Sequence, residues 1–481
     1  MLDIELLASI IPFLYLLPVL LSLCIAKKSK NYNNPNLAIL NINILFGIVV
    51  SLISYLTFIK SKSPIINSII FVDGLSFSML MLNSIIYLMS IASLHSSSKD
   101  EECKVDDFLL KISSIAMICF LASITFIIRN IIFLYISFEL SLVPIFIMIV
   151  KFGGKERLYA AKKILIYTGL SSLMMLGGIL FLIKQYSNYD IIIMRELLSQ
   201  STDSNMNLYI IWIVIFFAVA VKTPIFPFHT WLPLAHVEAP TQCSMILAAI
   251  MLKIGLFVFI RLLINTFPIH ISQIFAEMII IISIFSALYA SLIAFAQKDI
   301  KRIIAYSSIS HMSYSVIGIC IFAINGSKTA YNGAVFQMFS HGIISASLFM
   351  IFGAMYKQTH NRDVSNYSGI VNKAPILGYM FLFFSIANIG LPGMSSFIAE
   401  FLVTIELSRI SILYTIAMLS CIVFGAIYML NLCRIILFGE SSKIVQNIKD
   451  ISKTDISILS IIIFLVLILG IKPNILINII P

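Results

Sequence analysis

The sequence has little charge. Of its 481 residues only 11% are Asp, Glu, Lys or Arg, whereas 60% are hydrophobic and the mean hydropathy is +1.03. A soluble domain carries about 25% charged residues, and no polar stretch here is long enough to fold separately. These absences exclude a soluble globular protein, a disordered chain and a nucleic-acid-binding module. The net charge of +10 is instead typical of a membrane protein whose basic residues collect in loops on one side.

The motifs of cofactor chemistry are missing as well. The sequence contains no GxGxxG, no P-loop and no CxxC, so it shows no evident site for a nucleotide, a flavin or an iron–sulfur cluster. The seven cysteines are scattered, and most lie inside apolar runs. This placement predicts small core residues rather than disulfides or metal ligands. The cysteines inside apolar runs include Cys119, Cys243, Cys320 and Cys421.

Long apolar runs bounded by polar residues predict an all-α polytopic membrane protein with about fourteen transmembrane helices. Roughly 20 apolar residues suffice for one crossing. The runs are hydrophobic on all sides and do not alternate apolar and polar residues, as strands of a membrane barrel would. The predicted spans cover residues 4–25, 37–59, 71–94, 108–128, 131–150, 164–183, 208–225, 243–264, 271–295, 303–323, 332–356, 375–391 continuing broken to 408, 411–433 and 456–471.

The loop charges test this count. With residue 1 placed outside, alternate connections hold 21 Lys and Arg residues on the inner side and 9 on the outer side. Such a bias sets the orientation of membrane proteins, and it would collapse if one span were miscounted. The two basic residues left over, Lys222 and Lys253, fall inside apolar spans.

Six ionisable residues lie at membrane depth in these spans. Each costs about 2.5–3.5 kcal/mol at the bilayer centre on insertion scales, so it persists where it is paired, hydrated or functional. For any one of them, a lone buried residue that stays neutral is the plain alternative. Six in neighbouring spans favour a proton relay. The candidates are Glu139, Lys222, Lys253, His311, His341 and Glu400.

Glu139 and Lys222 form a hypothetical pair. A carboxyl in the apolar stretch around Glu139 is neutral unless a cation stands close, and a buried lysine loses its proton unless a carboxylate holds it. Such a pair exists either as two ions or as two neutral groups. A small change nearby would switch it, which is how a proton relay can be controlled.

Hydrogen-bonding residues flank both histidines. Ser307 and Ser308 precede His311 by four and three residues, so the three share a helix face. Gln337 precedes His341 by four residues. A single core histidine is more often merely hydrogen-bonded than functional, but this pattern favours a chain of hydrogen bonds that carries protons.

The seventh and twelfth spans are predicted to be discontinuous. VKTPIFP at 221–227 and NIGLPGMSS at 388–396 place proline and glycine inside apolar runs. Proline removes a helical hydrogen bond, and glycine permits unwinding. Broken helices at membrane depth mark hydrated sites, and a pair of them points to two inverted-topology five-helix repeats; two ordinary proline kinks are the alternative. The predicted division is 1–107 (helices 1–3), 108–264 (first repeat), 265–438 (second repeat) and 439–481 (last helix).

The segment 227–240 carries His229, His236 and Glu238 among several prolines. The prolines predict an ordered loop near the membrane interface. Because no cysteine ligand has suitable spacing, a metal site is not expected there.

Seven segments carry long and specific motifs across roughly positions 130–440. They resemble the antiporter-like subunits of proton-pumping NADH:quinone oxidoreductase, respiratory complex I. The multisubunit sodium/proton antiporters, which share the fold, are the alternative. The segments are KTPIFPFHTWLPLAHVEAPT (222–241), LKIG (252–255), QKDIKRIIAYSSISHMSYSVIGI (297–319), FQMFSHGIISASLF (336–349), GLPGMSSFIAEF (390–401), FELSLVP (138–144) and RLYAAKKILIYT (157–168).

The resemblance implies a membrane-arm subunit that translocates protons, driven by electron transfer from NADH to quinone in other subunits. It implies that Glu139 and Lys222 form the ion pair of the first half-channel and that Lys253 is the central relay lysine. No cofactor would be bound by this chain. NADH, FMN, iron–sulfur clusters and ubiquinone would be held by other subunits of the complex.

For the second half, the resemblance implies that His311 and His341 pass protons towards Glu400. Glutamate at this place in span twelve separates one kind of antiporter-like subunit from those that carry lysine. The implied partners are the neighbouring antiporter-like subunits 2 and 5 and membrane lipids, with no nucleic acid.

A stand-alone transporter and a structural membrane scaffold are the competing functions. A stand-alone transporter would need a substrate cavity, and a purely structural scaffold would not need Lys222, Lys253 and Glu400 at membrane depth. Abundant isoleucine and asparagine are typical of an AT-rich genome, and no cleavable targeting segment is evident before the first predicted helix. We therefore expect the mitochondrial inner membrane, with a bacterial or archaeal plasma membrane as the alternative.

Overall fold

The computed structural model describes residues 4–27, 35–60, 64–98, 105–200 and 206–480, and these are almost entirely helical. The helices are α1 (Ile4–Leu14), α2 (Leu17–Lys27), α3 (Pro35–Lys60), α4 (Gly74–Ser98), α5 (Val105–Ile127), α6 (Ile131–Leu140), α7 (Leu142–Phe152), α8 (Arg157–Tyr186), α9 (Ile191–Ser199), α10 (Met206–Lys222), α11 (Trp231–Glu238), α12 (Thr241–Ile246), α13 (Leu252–Val258), α14 (Ile269–Ala296), α15 (Ile300–Asn325), α16 (Lys328–Thr359), α17 (Pro375–Ile389), α18 (Ser395–Ile410), α19 (Ile412–Leu437), α20 (Lys453–Ile471) and α21 (Asn474–Ile477).

In the described part of the chain, ten helices are long and apolar enough to cross a membrane, or up to eleven if the bent pair 364–372 and α17 counts as one. Shorter apolar helices lie at Ala8–Cys24, Asn41–Ile53 and α10. The all-α membrane architecture is confirmed. The number fourteen, the inverted repeats and the four-part division stay predictions. Of the lysines in the loop-charge count, Lys28, Lys30, Lys62, Lys99 and Lys104 lie outside the described residues.

Two predicted spans are interrupted where no break was expected. The first span divides into α1 and α2, and the fifth divides into α6 and α7. A proline ring clashes with the carbonyl four residues earlier. The helices α1 and α6 end at Leu14 and Leu140, four residues before Pro18 and Pro144. The interruptions therefore follow from prolines that the span prediction had not used.

The two predicted discontinuities are present. α10 ends at Lys222, and α11 begins only at Trp231. α17 ends at Ile389, where Gly390 takes a left-handed φ of 84° that glycine adopts without strain. α18 begins at Ser395. Lys222 therefore stands at the end of a half-helix.

The interpretation of 227–240 as a loop is wrong for most of its length, because α11 occupies it. Thr230 precedes the first helical residue, and Pro233 falls in the first turn, where its missing N–H is not needed. The prolines thus begin a short buried helix instead of excluding one.

The helix of the third predicted span, 71–94, begins three residues later than predicted, at Gly74. Before it, β1 (Ile65–Ile66) and β2 (Phe71–Val72) pair as an antiparallel hairpin. Asp73 then accepts the N–H of Ser76 at 3.0 Å, which is the arrangement that caps a helix start. α4 therefore begins at Gly74.

Two helices are enclosed on all sides, and they carry the central lysine and one histidine. The continuous helix Thr241–Ile264 and α16 are fully buried over their apolar windows, whereas those of α8, α19 and α20 are 39%, 33% and 33% buried. Thr241–Ile264 contains π segments at Leu247–Met251 and Phe259–Ile264 on either side of α13. Such π turns are frequent at functional sites.

Candidate functional site

Lys253 is completely buried, and its ammonium group has two partners. Nζ donates to the carbonyl of Ala248 at 2.6 Å and lies 2.8 Å from Nδ1 of His341 on α16. The first contact reaches back five residues into the π segment Leu247–Met251, directly before α13. A charged lysine has three donors and no acceptor, so it donates to an unprotonated Nδ1.

His311 and Glu400 form the second pair. Nδ1 of His311 lies 2.9 Å from Oε1 of Glu400, and both side chains are buried. Gln337 on α16 donates to the same carboxylate oxygen at 3.4 Å. The helices α15, α16 and α18 thus converge on the carboxyl group of Glu400.

The two pairs face each other across a short gap. The ring centroids of His311 and His341 are 5.6 Å apart. Among the described residues, Nε2 of each ring has no hydrogen-bond partner although it is buried. Each imidazole therefore contacts its neighbour in the pair through Nδ1, which in His311 also lies 3.3 Å from Nε2 of Gln337, and keeps Nε2 available to exchange a proton. Lys253, His341, His311 and Glu400, from four different helices, form one line.

Lys222 is buried and contacts Phe138, the residue that precedes Glu139 in the sequence. Its Nζ donates to the carbonyl of Phe138 at 2.5 Å and sits 3.6 Å from the centroid of that ring. No ion pair joins Lys222 to Glu139 in the described chain, and Oε2 of Glu139 has no hydrogen-bond partner there. The structure brings the two residues into the same neighbourhood without direct contact, and their pairing stays a prediction.

Gly255 connects the Lys222 region to the central helix. A Cβ at this position would lie 2.7 Å from Oγ1 of Thr223 and 3.3 Å from Cβ of Lys222. Only glycine admits the end of α10 at this distance. The group that approaches Gly255 is the half-helix end that carries Lys222.

His236, which was assigned no relay role, is buried at the centre of this region. Its ring stacks on Phe349 with centroids 4.6 Å apart, and neither ring nitrogen has a hydrogen-bond partner among the described residues. No signal in the sequence separates it from His229, which instead packs against Phe226.

Glu406 is a second buried charge that the sequence analysis missed. It follows Glu400 by six residues on α18 and is 3% exposed, and Arg409 contacts it at 3.0 Å. An acidic residue three positions before a basic one is also typical of a solvent-exposed helix face, so this spacing does not indicate burial. Only the packing of α18 shows that its carboxylate is enclosed.

An ionic cluster lies at the end of the molecule that the loop charges assign to the inner side. Arg362 lies 3.6 Å from Glu238 and 3.4 Å from Asp299 and donates to the carbonyl of Val237 at 2.6 Å. Oε2 of Glu238 accepts the N–H of Glu156. Glu238, flagged in the sequence beside two histidines, thus ties loops together, and no group of three metal-type ligands meets within the described ranges.

Asp73 and Arg261 form a bidentate ion pair at the opposite end of the molecule. Nη1 and Nη2 of Arg261 donate to the two carboxylate oxygens at 2.7 and 2.6 Å, and Nη2 also contacts Ser76 at 2.9 Å. Burial by itself raises the pKa of Asp73, but the guanidinium of Arg261 outweighs it and holds this pKa below its usual range. This pair fixes the hairpin and the start of α4 to the helix that contains Lys253.

Five of the six described cysteines occupy core positions, as predicted for those inside apolar runs. All six are free, and all except Cys24 are buried.

Comparisons with known proteins agree with the sequence resemblance. A family model described as "NADH:quinone oxidoreductase/Mrp antiporter, TM" matches residues 129–429. The chain is 38% identical to NADH-quinone oxidoreductase subunit M of Rickettsia conorii over 418 residues, which cover 85% of this chain and 80% of the relative. It is 36% identical to NADH-ubiquinone oxidoreductase chain 4 of Marchantia polymorpha, with coverage of 85% and 80%.

Solved structures share the fold at lower identity. A chain of respiratory complex I from Thermus thermophilus superposes with a TM-score of 0.84 at 22% identity, with 98% of each chain covered. A chain of the Mrp complex from Dietzia sp. superposes with a TM-score of 0.83 at 15% identity, with 98% of this chain and 96% of that chain covered. The fold is therefore common to both kinds of complex.

Proposed function

The chain belongs to the NADH:quinone oxidoreductase and Mrp antiporter family of membrane subunits, and from this premise we propose that it translocates protons within a respiratory NADH:quinone oxidoreductase. The curated relatives that cover most of the chain are subunits of that oxidoreductase. The complex is the oxidoreductase, and this chain is one of its antiporter-like membrane subunits. Electron transfer from NADH to quinone in other subunits would drive it.

The line from Lys253 to Glu400 carries this proposal. Its residues come from four helices and meet at 2.8 Å and 2.9 Å at the two ends of the line. Insertion of these groups into a membrane is costly, and a scaffold would not need two contiguous titratable pairs. Heavy-atom separations of this size allow direct proton transfer between the members of each pair.

The proton moves along this line by exchange at opposite nitrogens of each ring. Lys253 gives a proton from Nζ to Nδ1 of His341, and His341 releases its other proton from Nε2. His311 accepts at Nε2 and passes the proton on its Nδ1 to Oε1 of Glu400. A ring rotation or one bridging water closes the gap between the imidazoles. The rings then return to their first tautomers for the next transfer.

Lys222 and Glu139 would control when Lys253, the first residue of this line, receives a proton. With Nζ on the carbonyl of Phe138, Lys222 needs only a side-chain movement to meet the neighbouring carboxylate. An ion pair favours the charged lysine, and its opening leaves an unpaired buried ammonium. Opening the pair would therefore push a proton towards Lys253.

The wider assembly belongs to the same proposal. The two broken helices support two inverted repeats, 108–264 and 265–438, each with a charge near its break. NADH, FMN, iron–sulfur clusters and ubiquinone would be held by other subunits. The neighbours would be antiporter-like subunits 2 and 5. The membrane would be the mitochondrial inner membrane, with a bacterial or archaeal plasma membrane as the alternative.

A subunit of a multisubunit sodium/proton antiporter is the second candidate, because the family model and the Dietzia fold include that class. The native complex, purified and reconstituted in liposomes, distinguishes the two. NADH:quinone reductase activity with proton uptake, and flavin and iron–sulfur absorption in the same particle, is the expected result. Sodium-dependent proton exchange in a particle without these cofactors would contradict the proposal.

A further inference from the structure

A cavity of about 240 Å³ lies among helix ends at the end of the molecule that the loop charges assign to the inner side. It is formed by the inner ends of α5, α7, α15 and α16, which contribute Lys111, Phe152, Lys301 and Tyr356. None of the proposed relay residues lines it. Its role therefore has to be sought in its own lining.

The lining of this cavity carries an excess of positive charge. Four side chains are basic and two are acidic, which leaves two positive charges over when His360 is counted as neutral. Arg362 is balanced, because it lies 3.6 Å from Glu238 and 3.4 Å from Asp299. The excess is therefore carried by lysines. The basic residues are Lys111, Lys301, Lys357 and Arg362, and the acidic ones are Glu238 and Asp455.

Lys301 lines the cavity although it is only 4% exposed. Its Nζ donates to the carbonyl of Ala239 at 2.7 Å, and it forms no ion pair with the described part of the chain. An ammonium group has three donors, and a buried charge is costly unless these donors find acceptors. The remaining donors of Lys301 therefore need acceptors that enter the cavity from outside the chain.

Lys111 reaches the same cavity from α5. Its Nζ lies 4.8 Å from the ring centroid of Phe152, an arrangement that favours the charged form. The carboxylate one turn earlier, Asp107, pairs instead with Lys151 at 2.7 Å, and Lys111 forms no ion pair within the described ranges. Two ammonium groups without a carboxylate partner thus line one cavity from two different helices.

We propose that this cavity binds the phosphate group of an anionic phospholipid. Phosphate oxygens accept charge-assisted hydrogen bonds from ammonium groups, and Lys111 and Lys301 offer two such groups. Helix ends lie at the depth of the lipid head groups, and basic pockets between membrane helices on the inner side suit acidic lipids. The inference does not depend on the proposed function, because it requires only a membrane that contains acidic lipid.

The apolar part of the lining favours a lipid over free phosphate. Leu94, Phe152, Met350 and Tyr356 line the cavity together with the lysines. These side chains would pack on the glycerol and the first methylene groups of a lipid, whereas an inorganic phosphate ion gains nothing from them. A phosphate held by both lysines would join α5 to α15, and so connect the two predicted repeats at their inner ends.

The test measures access to the cavity in the whole purified complex, washed in detergent until no phospholipid phosphorus remains. Ala354 lines the cavity on α16, so A354C places a thiol there, and mass spectrometry of the chain follows its alkylation by N-ethylmaleimide. Micelles that contain phosphatidylglycerol should slow this alkylation severalfold and saturably, whereas phosphatidylcholine micelles and inorganic phosphate should not. S365C, at an exposed inner position outside this cavity, should react equally in both kinds of micelle.

Charge variants in the A354C background test the two lysines. K111Q and K301Q should each raise the phosphatidylglycerol concentration for half-protection roughly tenfold, as for the loss of one hydrogen bond to a charged group. K111Q keeps the test decisive if K301Q fails to assemble, since Lys301 also holds a backbone carbonyl. K155Q removes an exposed inner lysine that does not line the cavity, and it should leave half-protection unchanged.

Three outcomes overturn the proposal. Equal slowing by phosphatidylcholine and phosphatidylglycerol means that the cavity does not recognise an acidic head group. Protection by inorganic phosphate alone means that it takes a free anion and not a lipid. An equal effect of K155Q and K111Q means that general surface charge, and not the cavity, gathers the lipid. None of these results bears on proton pumping, which E400Q tests separately.

Discussion

His311 and Glu400 lie 89 residues apart in the sequence, and their side chains meet at 2.9 Å between Nδ1 and Oε1. The contact joins α15 to α18, the half-helix that follows the break at Gly390. The break matters for this contact, because a Cβ on Gly390 would lie 3.1 Å from Oε2 of Glu400. The unwound turn and the carboxylate therefore share one small space. Their proximity explains why glycine and glutamate occur together in the twelfth predicted span.

The first prediction concerns this carboxylate. Glu400→Gln keeps the shape of the side chain but cannot exchange a proton, so NADH-driven proton translocation should fall by roughly tenfold or more, as expected for loss of an acid–base group. The measurement is dye-monitored proton uptake into reconstituted vesicles, normalised to assembled complex. Glu400→Asp keeps the carboxyl group and should retain part of the activity. Equal pumping in the Gln variant and the parent would contradict the assignment.

The second prediction separates a relay from a fixed charge at Lys253. Lys253→Arg keeps a positive charge that is not given up in proteins. It should assemble but fail to pump, whereas a purely structural cation would tolerate the change. Lys253→Met removes the donor from both the Ala248 carbonyl and His341, which should cost about 1–3 kcal/mol of stability. Native electrophoresis reports assembly, and normal pumping by the arginine variant would argue for a scaffold.

The sequence selected four side chains that the structure brings together, although it misplaced several element boundaries. Lys253, His341, His311 and Glu400 were selected because each is ionisable inside an apolar run, and the structure places all four in one line. Membrane burial makes such residues expensive, so composition alone identifies them. The order in which they touch depends on the packing of four helices, and no local pattern contains it.

The failures have local causes. The end of α6 at Leu140 follows from Pro144, a signal present in the sequence. The burial of Glu406 and His236 was not predictable, because periodicity cannot identify the enclosed face of a helix that is hydrophobic all round. The Glu139–Lys222 pairing stays a prediction, since the ammonium lies on the carbonyl of Phe138.

The third prediction concerns acid stability through Asp73. Its pKa lies below the usual range because the guanidinium of Arg261 outweighs burial. A carboxyl group with a lowered folded-state pKa stabilises the fold above its unfolded pKa, near 4, and this stabilisation is lost as the pH falls through its folded pKa. Asp73→Asn should therefore lower the free energy of unfolding at neutral pH by about 3–5 kcal/mol, as for a broken buried pair, and by progressively less as the pH falls below about 4.

Reaction of the buried cysteines with a thiol dye during heating would follow this unfolding. Asp363 offers a matched control, because its pKa is also lowered, chiefly by backbone hydrogen bonding from Ser365, but it lies at the inner surface. Asp363→Asn should change the stability far less than Asp73→Asn. A parent-like melting curve for Asp73→Asn at pH 7 would show that the ion pair contributes little.

The fourth prediction uses the contact between the central helix and the Lys222 half-helix. In Gly255→Ala the new methyl group would lie 2.7 Å from Oγ1 of Thr223 and 3.3 Å from both the Thr223 nitrogen and Cβ of Lys222. The end of α10 must then shift by a few tenths of an ångström, at a cost of about 1–3 kcal/mol for overpacking. Because the shift displaces Lys222, whose Nζ donates to the carbonyl of Phe138, proton pumping should fall more than assembly does.

Two further variants decide whether this effect comes from the contact. Thr223→Ala removes the nearest atom, and Oγ1 of Thr223 has no hydrogen-bond partner among the described residues, so Gly255→Ala/Thr223→Ala should recover part of the pumping. Gly177→Ala on α8 meets no atom within 4 Å and should be neutral or slightly stabilising, because alanine restricts the unfolded chain. If Gly255→Ala pumped normally, or if the double variant were worse than the single one, the position of the α10 end would not control proton transfer. Recovery would instead show that a few tenths of an ångström at Lys222 decide whether the relay is loaded.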